Sequence, residues 1–277
     1  MGLFGRGYQK EGPGVSKDDV EKRKFFLFFE LYFRKFWKLI KLNLLYFVVN
    51  ILSVLAISAM LMSLSVPHEK GVIDGVALIA YGVFVLSGII LGPSSAAMVY
   101  VLRNYANQRH SFMASDFFEQ FRKNFKQAAP VGMLCTVLPV VFWFALSYYS
   151  AIGGSFGMIL LCLTTLCIIV LLSAFLYIYP IMVTFDLKLK QIFKNSLIMA
   201  FANFPVNLFV LIVSAAILYG VTFLSIPLLS LLMLLIVPVT IGFVSVFSIW
   251  GVIDKYMMPE MKTEEEESVF SDERILK

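Results

Sequence analysis

The sequence predicts an all-α membrane protein of six transmembrane helices, arranged as three hairpins, each preceded by a basic, aromatic interfacial helix, with both termini cytosolic. Three observations predict it. Of 277 residues, 60% are hydrophobic and only 15% are charged, where a soluble domain carries about a quarter charged residues. Gln127–Phe185 and Asn195–Ile253 each run for 59 residues without Asp, Glu, Lys or Arg. Finally, 22 of the 23 Lys and Arg residues fall in four segments that one membrane side can hold together. Crossing the hydrocarbon layer takes roughly 20 apolar residues, so each uncharged stretch holds two spans and a tight turn.

Taken in order, residues 1–24 mix Gly, Pro, Lys and Asp and read as a flexible cytosolic segment. The first long apolar run begins near Leu42, too far in for a cleaved signal peptide, so the first span is a retained anchor. Before it, Glu30, Arg34, Lys38 and Lys41 recur at helical spacing, and Phe25, Phe29, Tyr32, Phe33, Phe36 and Ile40 line another side. A helix divided in this way lies in the headgroup plane. Spans one and two then cover about 42–65 and 76–102, separated by the polar Pro67-His68-Glu69-Lys70-Gly71 and Asp74.

The second unit opens with Phe117, Phe118, Phe121 and Phe125 opposing Glu119, Arg122, Lys123 and Lys126. Its spans cover about 129–149 and 156–184, with Ser150-Ala-Ile-Gly-Gly-Ser155 supplying turn chemistry between them. In the third, Leu189, Ile192, Phe193 and Leu197 oppose Lys190 and Lys194. The spans at about 205–223 and 228–251 follow, joined through Ser225-Ile-Pro227. Phe33-Arg-Lys-Phe36, Phe121-Arg-Lys-Asn124-Phe125 and Ile192-Phe-Lys-Asn195 read as degenerate copies of one unit. The membrane domain is thus 25–255, and 256–277, with Glu264 to Glu267 in a row, is a flexible acidic cytosolic tail.

Orientation follows from the cations. The N-terminal segment holds 10 Lys and Arg, the 103–126 loop 5, the 186–194 loop 3 and the tail 4, while the opposite side has only Lys70. Loops rich in Lys and Arg stay cytosolic. The net charge of +5 is accounted for by this bias and by anionic headgroups, so the excess does not point to nucleic acid.

Catalytic chemistry finds little to work with. His68 and His110 stand alone in loops, Asp74 and Asp186 sit at span ends, and Cys135, Cys162 and Cys167 lie in apolar runs with no metal-ligand spacing. The expectation is a non-enzyme without metal or cofactor. Two constellations remain as candidates. Gly88, Gly92 and Ala96 recur four apart on span two, beside Pro93, Ser94 and Ser95, which suits internal helix packing or a groove for a partner's helix. Asn43 and Asn50 lie seven apart on span one, and amides in lipid need partners, so that face points into protein. Arg34, Lys38, Lys41, Arg122, Lys123, Lys126, Lys190 and Lys194 are the interfacial, lipid-facing cations. Asn203, Pro205 and Asn207 read as helix-start chemistry.

Several segments are similar to a known pattern: Phe33-Arg-Lys-Phe-Trp37 leading into Leu42-Asn-Leu-Leu45, then Leu91-Gly-Pro-Ser-Ser-Ala-Ala97, then Asp116-Phe-Phe with Phe121-Arg-Lys-Asn-Phe-Lys-Gln127. Together they resemble the YesL-like family of small bacterial integral membrane proteins, over most of residues 25–255. That family has no established activity. The resemblance implies a multi-pass protein of a Gram-positive cell membrane, associated with carbohydrate ABC importers. The Glu-Ala-Ala…Gly loop with which permeases grip their ATPase is missing, so the implied role is a non-catalytic accessory of the permease pair. The alternative is an uncoupled transporter or channel for a neutral solute, with a polar path through Asn43, Asn50, Ser94, Ser95 and Thr164. A weaker third reading is a surface scaffold whose basic helices collect anionic lipid.

Overall fold

The computed structural model describes residues 23–64 and 75–258. The predicted Pro67–Asp74 loop, most of the N-terminal segment and nearly all of the acidic tail lie outside them. Among the described residues there are eleven helices and no strand. They fall into three successive units, each opening with a short helix that ends one residue before an apolar one. In the first, α1 (Lys24–Arg34) stops at Lys35 and α2 (Phe36–Val49) follows, with α3 (Ile51–Leu64) and α4 (Gly75–Ala106) completing the hairpin. The second runs α5 (Met113–Lys123), Asn124, α6 (Phe125–Ile152) and α7 (Gly154–Met182). The third runs α8 (Leu189–Ala202), Asn203, α9 (Phe204–Thr222), α10 (Ile226–Leu235) and α11 (Val237–Met257).

The repeated junction corrects one reading of the sequence. The third copy is not Ile192-Phe-Lys-Asn195, which lies inside α8, but Asn203-Phe204, where the helix actually breaks. The three junctions are then Lys35-Phe36, Asn124-Phe125 and Asn203-Phe204. A Phe opening the apolar helix is what they share.

Among the described residues, five helices are long and apolar enough to cross a membrane, and six if one bent pair counts as a span. Two predicted spans are not single straight helices. Span 42–65 begins inside α2 and bends by 68° between α2 and α3, at Asn50. Span 228–251 is broken at Ile236, leaving the short α10 and the spanning α11. The cause is Pro238, which has no N–H to give the carbonyl of Leu234 and so interrupts the ladder. Hydropathy reads both segments as continuous because Asn50 and Pro238 each stand alone among apolar neighbours.

The turn between α6 and α7 matches expectation. Gly153 and Gly154 have φ of 65° and 64°, a region open to glycine because it lacks Cβ. The α4 terminus uses a different device. Gln108, at φ 56°, donates its N–H to the Tyr105 carbonyl while Arg109 donates to that of Asn104, the paired bonds of a Schellman motif.

Packing is concentrated at the end where α4, α7 and α11 finish and α2, α6 and α9 begin, called the base below. One core there joins Leu31, Leu39, Leu42, Leu102, Tyr105, Phe117 and Phe243, and a second joins Ala96, Ala128, Tyr177, Ile178, Ile192 and Ile249. The axis of both is α4, contributing Ala96 to one and Ala97 to the other. Toward the hairpin tips the helices are largely uncovered: Trp143, Phe144, Tyr148, Phe156, Ile159, Leu163 and Leu166 are all exposed.

Candidate functional site

Three arrangements carry the polar residues. The first is the helix contact along α4. A Cβ on Gly92 would collide with the Ala128 carbonyl oxygen, and one on Gly88 would meet that of Gly132 at 2.8 Å. The Gly88–Gly92 face is therefore covered by the Ala128–Gly132 turn of α6, with the backbones in direct contact, and does not form a groove open at the surface. Pro93 is buried within the unbroken α4, as are Ser94 and Ala96, with Ser95 half-buried.

The second arrangement is a set of amide side chains at the helix breaks. Asn43 on α2 donates from Nδ2 to the carbonyls of Met233 (3.1 Å) and Leu234 (2.7 Å), and its Oδ1 accepts the N–H of Val239 (3.0 Å). It supplies the partners that Pro238 and the break at Ile236 remove. Asn50, at the α2–α3 bend, donates to the Tyr46 carbonyl at 2.8 Å and accepts from Ser94 Oγ at 2.9 Å. Ser95 is paired with the Tyr46 hydroxyl at 3.0 Å. Asn207 donates to the Ala200 carbonyl at 3.0 Å near the end of α8 and accepts from the Tyr177 hydroxyl at 2.6 Å. Asn124 Nδ2 donates to the Gln120 carbonyl and Oε1, both at 3.1 Å. Asn43 and Asn207 bond carbonyls that an uninterrupted helix would satisfy internally, whereas Asn50 and Asn124 add a side-chain bond to a carbonyl that already accepts their own N–H.

These amides do not converge on one path. Asn43 faces the α10–α11 break, Asn50 and Ser94 bond each other, and Thr164 donates to the Leu160 carbonyl of its own helix at 2.8 Å. Asn203 and Pro205 stand at the start of α9 as expected, but the Asn203 side chain makes no capping bond there, and Asn207 does more than start a helix. Fully buried, it ties α9 to both α7 and α8.

The third arrangement is at the base. Arg103, near the end of α4, is buried and bridges the three units' last helices. Its Nη1 donates to the Val183 carbonyl (3.1 Å) and Thr184 Oγ1 (3.0 Å) past the end of α7. Its guanidinium lies 4.6 Å from the Tyr100 ring centroid and 5.8 Å from that of Trp250 on α11. Reading the sequence by charge-free intervals hid this residue, because it looked like the first cation of a cytosolic loop. A cation three residues inside the end of an apolar helix was the available signal.

Around the base the eight singled-out cations, from Arg34 to Lys194, are all exposed. Arg34 is also engaged within the protein, donating to Gln108 Oε1 at 3.0 Å and lying 3.8 Å from Glu30. On α1 the exposed Phe25, Phe26, Phe29 and Phe33 form one face, while Leu31 is fully buried and Phe28 and Tyr32 pack on Phe243. Tyr32 donates to Thr240 Oγ1 at 2.7 Å, since the threonine's own proton goes to the Ile236 carbonyl. Burial pushes the Tyr32 hydroxyl up despite that bond. Burial lowers the Lys35 ammonium, and the neighbouring Lys38 and Arg34 lower it further. Among the described residues no group of three His, Cys, Asp or Glu side chains could hold a metal ion.

A family model described as "Protein of unknown function, DUF624" matches residues 39–146, less than half of the chain. The matched stretch begins in α2 and ends in α6, so it contains Asn43, Asn50, the Gly88–Gly92 contact and Arg103. No curated protein and no solved structure shows a significant match.

Proposed function

We propose that the chain is a non-catalytic, multi-pass membrane subunit, with its base and both termini in the cytosol, that acts by helix contact on another membrane protein. The partner class implied by the YesL-like resemblance is the permease pair of a carbohydrate ABC importer in a bacterial cell membrane. The observation that carries this reading is the division of the molecule into two zones. The base is closed by buried amides, backbone-to-backbone contact and two cores. The tip halves of α6 and α7 expose bulky apolar side chains, with Trp143 at 69% and Phe156 at 66%. Such surface suits lipid, and it equally leaves room for a second protein's helices to pack. The polar groups that a solute path would need are bonded locally instead.

The test is purification of the tagged protein in mild detergent from cells expressing the importer. Recovery of stoichiometric permease subunits is the expected result. Recovery of the chain alone, with the importer intact in the same membranes, contradicts the partner assignment.

A further inference from the structure

Arg103 is 8% exposed, yet its bonding partners are all neutral. Nη1 is spent on Val183 and Thr184, Nη2 has one long bond of 3.3 Å to Asn104 Oδ1, and Nε has no acceptor among the described residues. Nε and Nη2 form one edge of the guanidinium, the fork with which arginine grips an oxyanion through two parallel bonds. One bond on that edge is weak here and the other is unmade. Asn107 Nδ2 is likewise buried without an acceptor. The Asn107 N–H bonds the Arg103 carbonyl at 3.0 Å, which places the two residues one turn apart on the same face. Both unmade groups are donors. A buried cation without a counter-charge is costly, so the missing partner is an acceptor carrying negative charge.

We propose that the Nε/Nη2 edge of Arg103, together with Asn107 Nδ2, binds a phosphate oxyanion, that of a phospholipid headgroup at the base of the bundle. Two features favour a headgroup over a free anion. Tyr100 and Trp250 flank the guanidinium, and such rings gather at the depth of the headgroups. The exposed cations Arg109, Arg122, Lys123 and Lys188 belong to the same end of the molecule and attract anionic lipid there. The lipid assignment rests on the reading of the base as lying at the membrane surface; the oxyanion chemistry does not.

Native mass spectrometry of the full chain in neutral maltoside micelles tests this. The probes are dioctanoyl-phosphatidylglycerol, dioctanoylglycerol as its headgroup-free counterpart, and inorganic phosphate. One phosphatidylglycerol bound per chain and no dioctanoylglycerol is the expected result. Arg103→Gln weakens that binding about tenfold or more, since a bidentate charged contact is lost, and Asn107→Ala weakens it a few-fold. Equal lipid binding by wild type and a monodisperse Arg103→Gln overturns the site. Should Arg103→Gln not fold, Arg103→Lys keeps the charge without the fork, and unchanged binding in both Arg103→Lys and Asn107→Ala overturns it as well. Saturation by inorganic phosphate without uptake of phosphatidylglycerol overturns the headgroup and supports the oxyanion site. Binding of neither probe by wild type refutes the site altogether, and leaves the co-purification test of function unaffected.

Discussion

Asn43 is set where Pro238 leaves the Leu234 carbonyl without a donor, and its side chain makes three bonds to the α10–α11 break. Replacing it with Ala strands two carbonyls and one N–H beside a fully buried position. Asn43→Ala is expected to cost about 2 kcal/mol, given the modest worth of single hydrogen bonds in membranes and the greater cost of unmade ones. A lower thermal midpoint in detergent checks it, with Ser58→Ala as comparison, since the Ser58 hydroxyl is exposed and bonds only its own helix. Gly153 gives a second prediction. Its φ of 65° with ψ of −171° is glycine territory, so Gly153→Ala costs about 1–3 kcal/mol although no neighbouring atom lies within 4 Å of the added carbon. At this scale the sequence showed that the span-one amides need partners and that Gly153-Gly154 makes a turn. It could not show that Asn43 is matched to Pro238, because the two are far apart in the chain and meet only through the packing of α2 on the break.

Single elements are where hydropathy was most and least informative. It located the apolar stretches, and it missed both breaks, since a single Asn50 or Pro238 among apolar neighbours leaves a window-averaged hydropathy high. The small residues of α4 were legible as a packing motif; their opposite number was not, because Ala128 and Gly132 stand beside Pro130 in a segment that reads as generic apolar chain. The close approach predicts a contrast within one helix. Gly92→Ala drives a carbon against the Ala128 carbonyl and should lower stability by about 1–3 kcal/mol through overpacking. Gly82→Ala meets nothing within 4 Å and should be neutral or stabilising by up to about 1 kcal/mol from helix propensity. Equal effects of the two substitutions on the thermal midpoint would count against the α4–α6 contact.

At the scale of the whole molecule, three units finish together at the base, where Arg103 joins the ends of α4, α7 and α11, and toward the tips of the second and third hairpins bulky side chains such as Phe156 and Phe223 are exposed. The cation count agrees with this polarity among the described residues, because the 103–126 and 186–194 segments and the stretch from Lys24 to Lys41 lie at that end. The central claim is that the chain crosses the membrane with that end in the cytosol. Single cysteines at positions 122, 194 and 155, in a chain with Cys135, Cys162 and Cys167 replaced by Ala, measure it directly with a membrane-impermeant maleimide. In intact cells the label should reach only position 155, and in inside-out vesicles only 122 and 194. Labelling of 122 or 194 from outside intact cells would contradict the account.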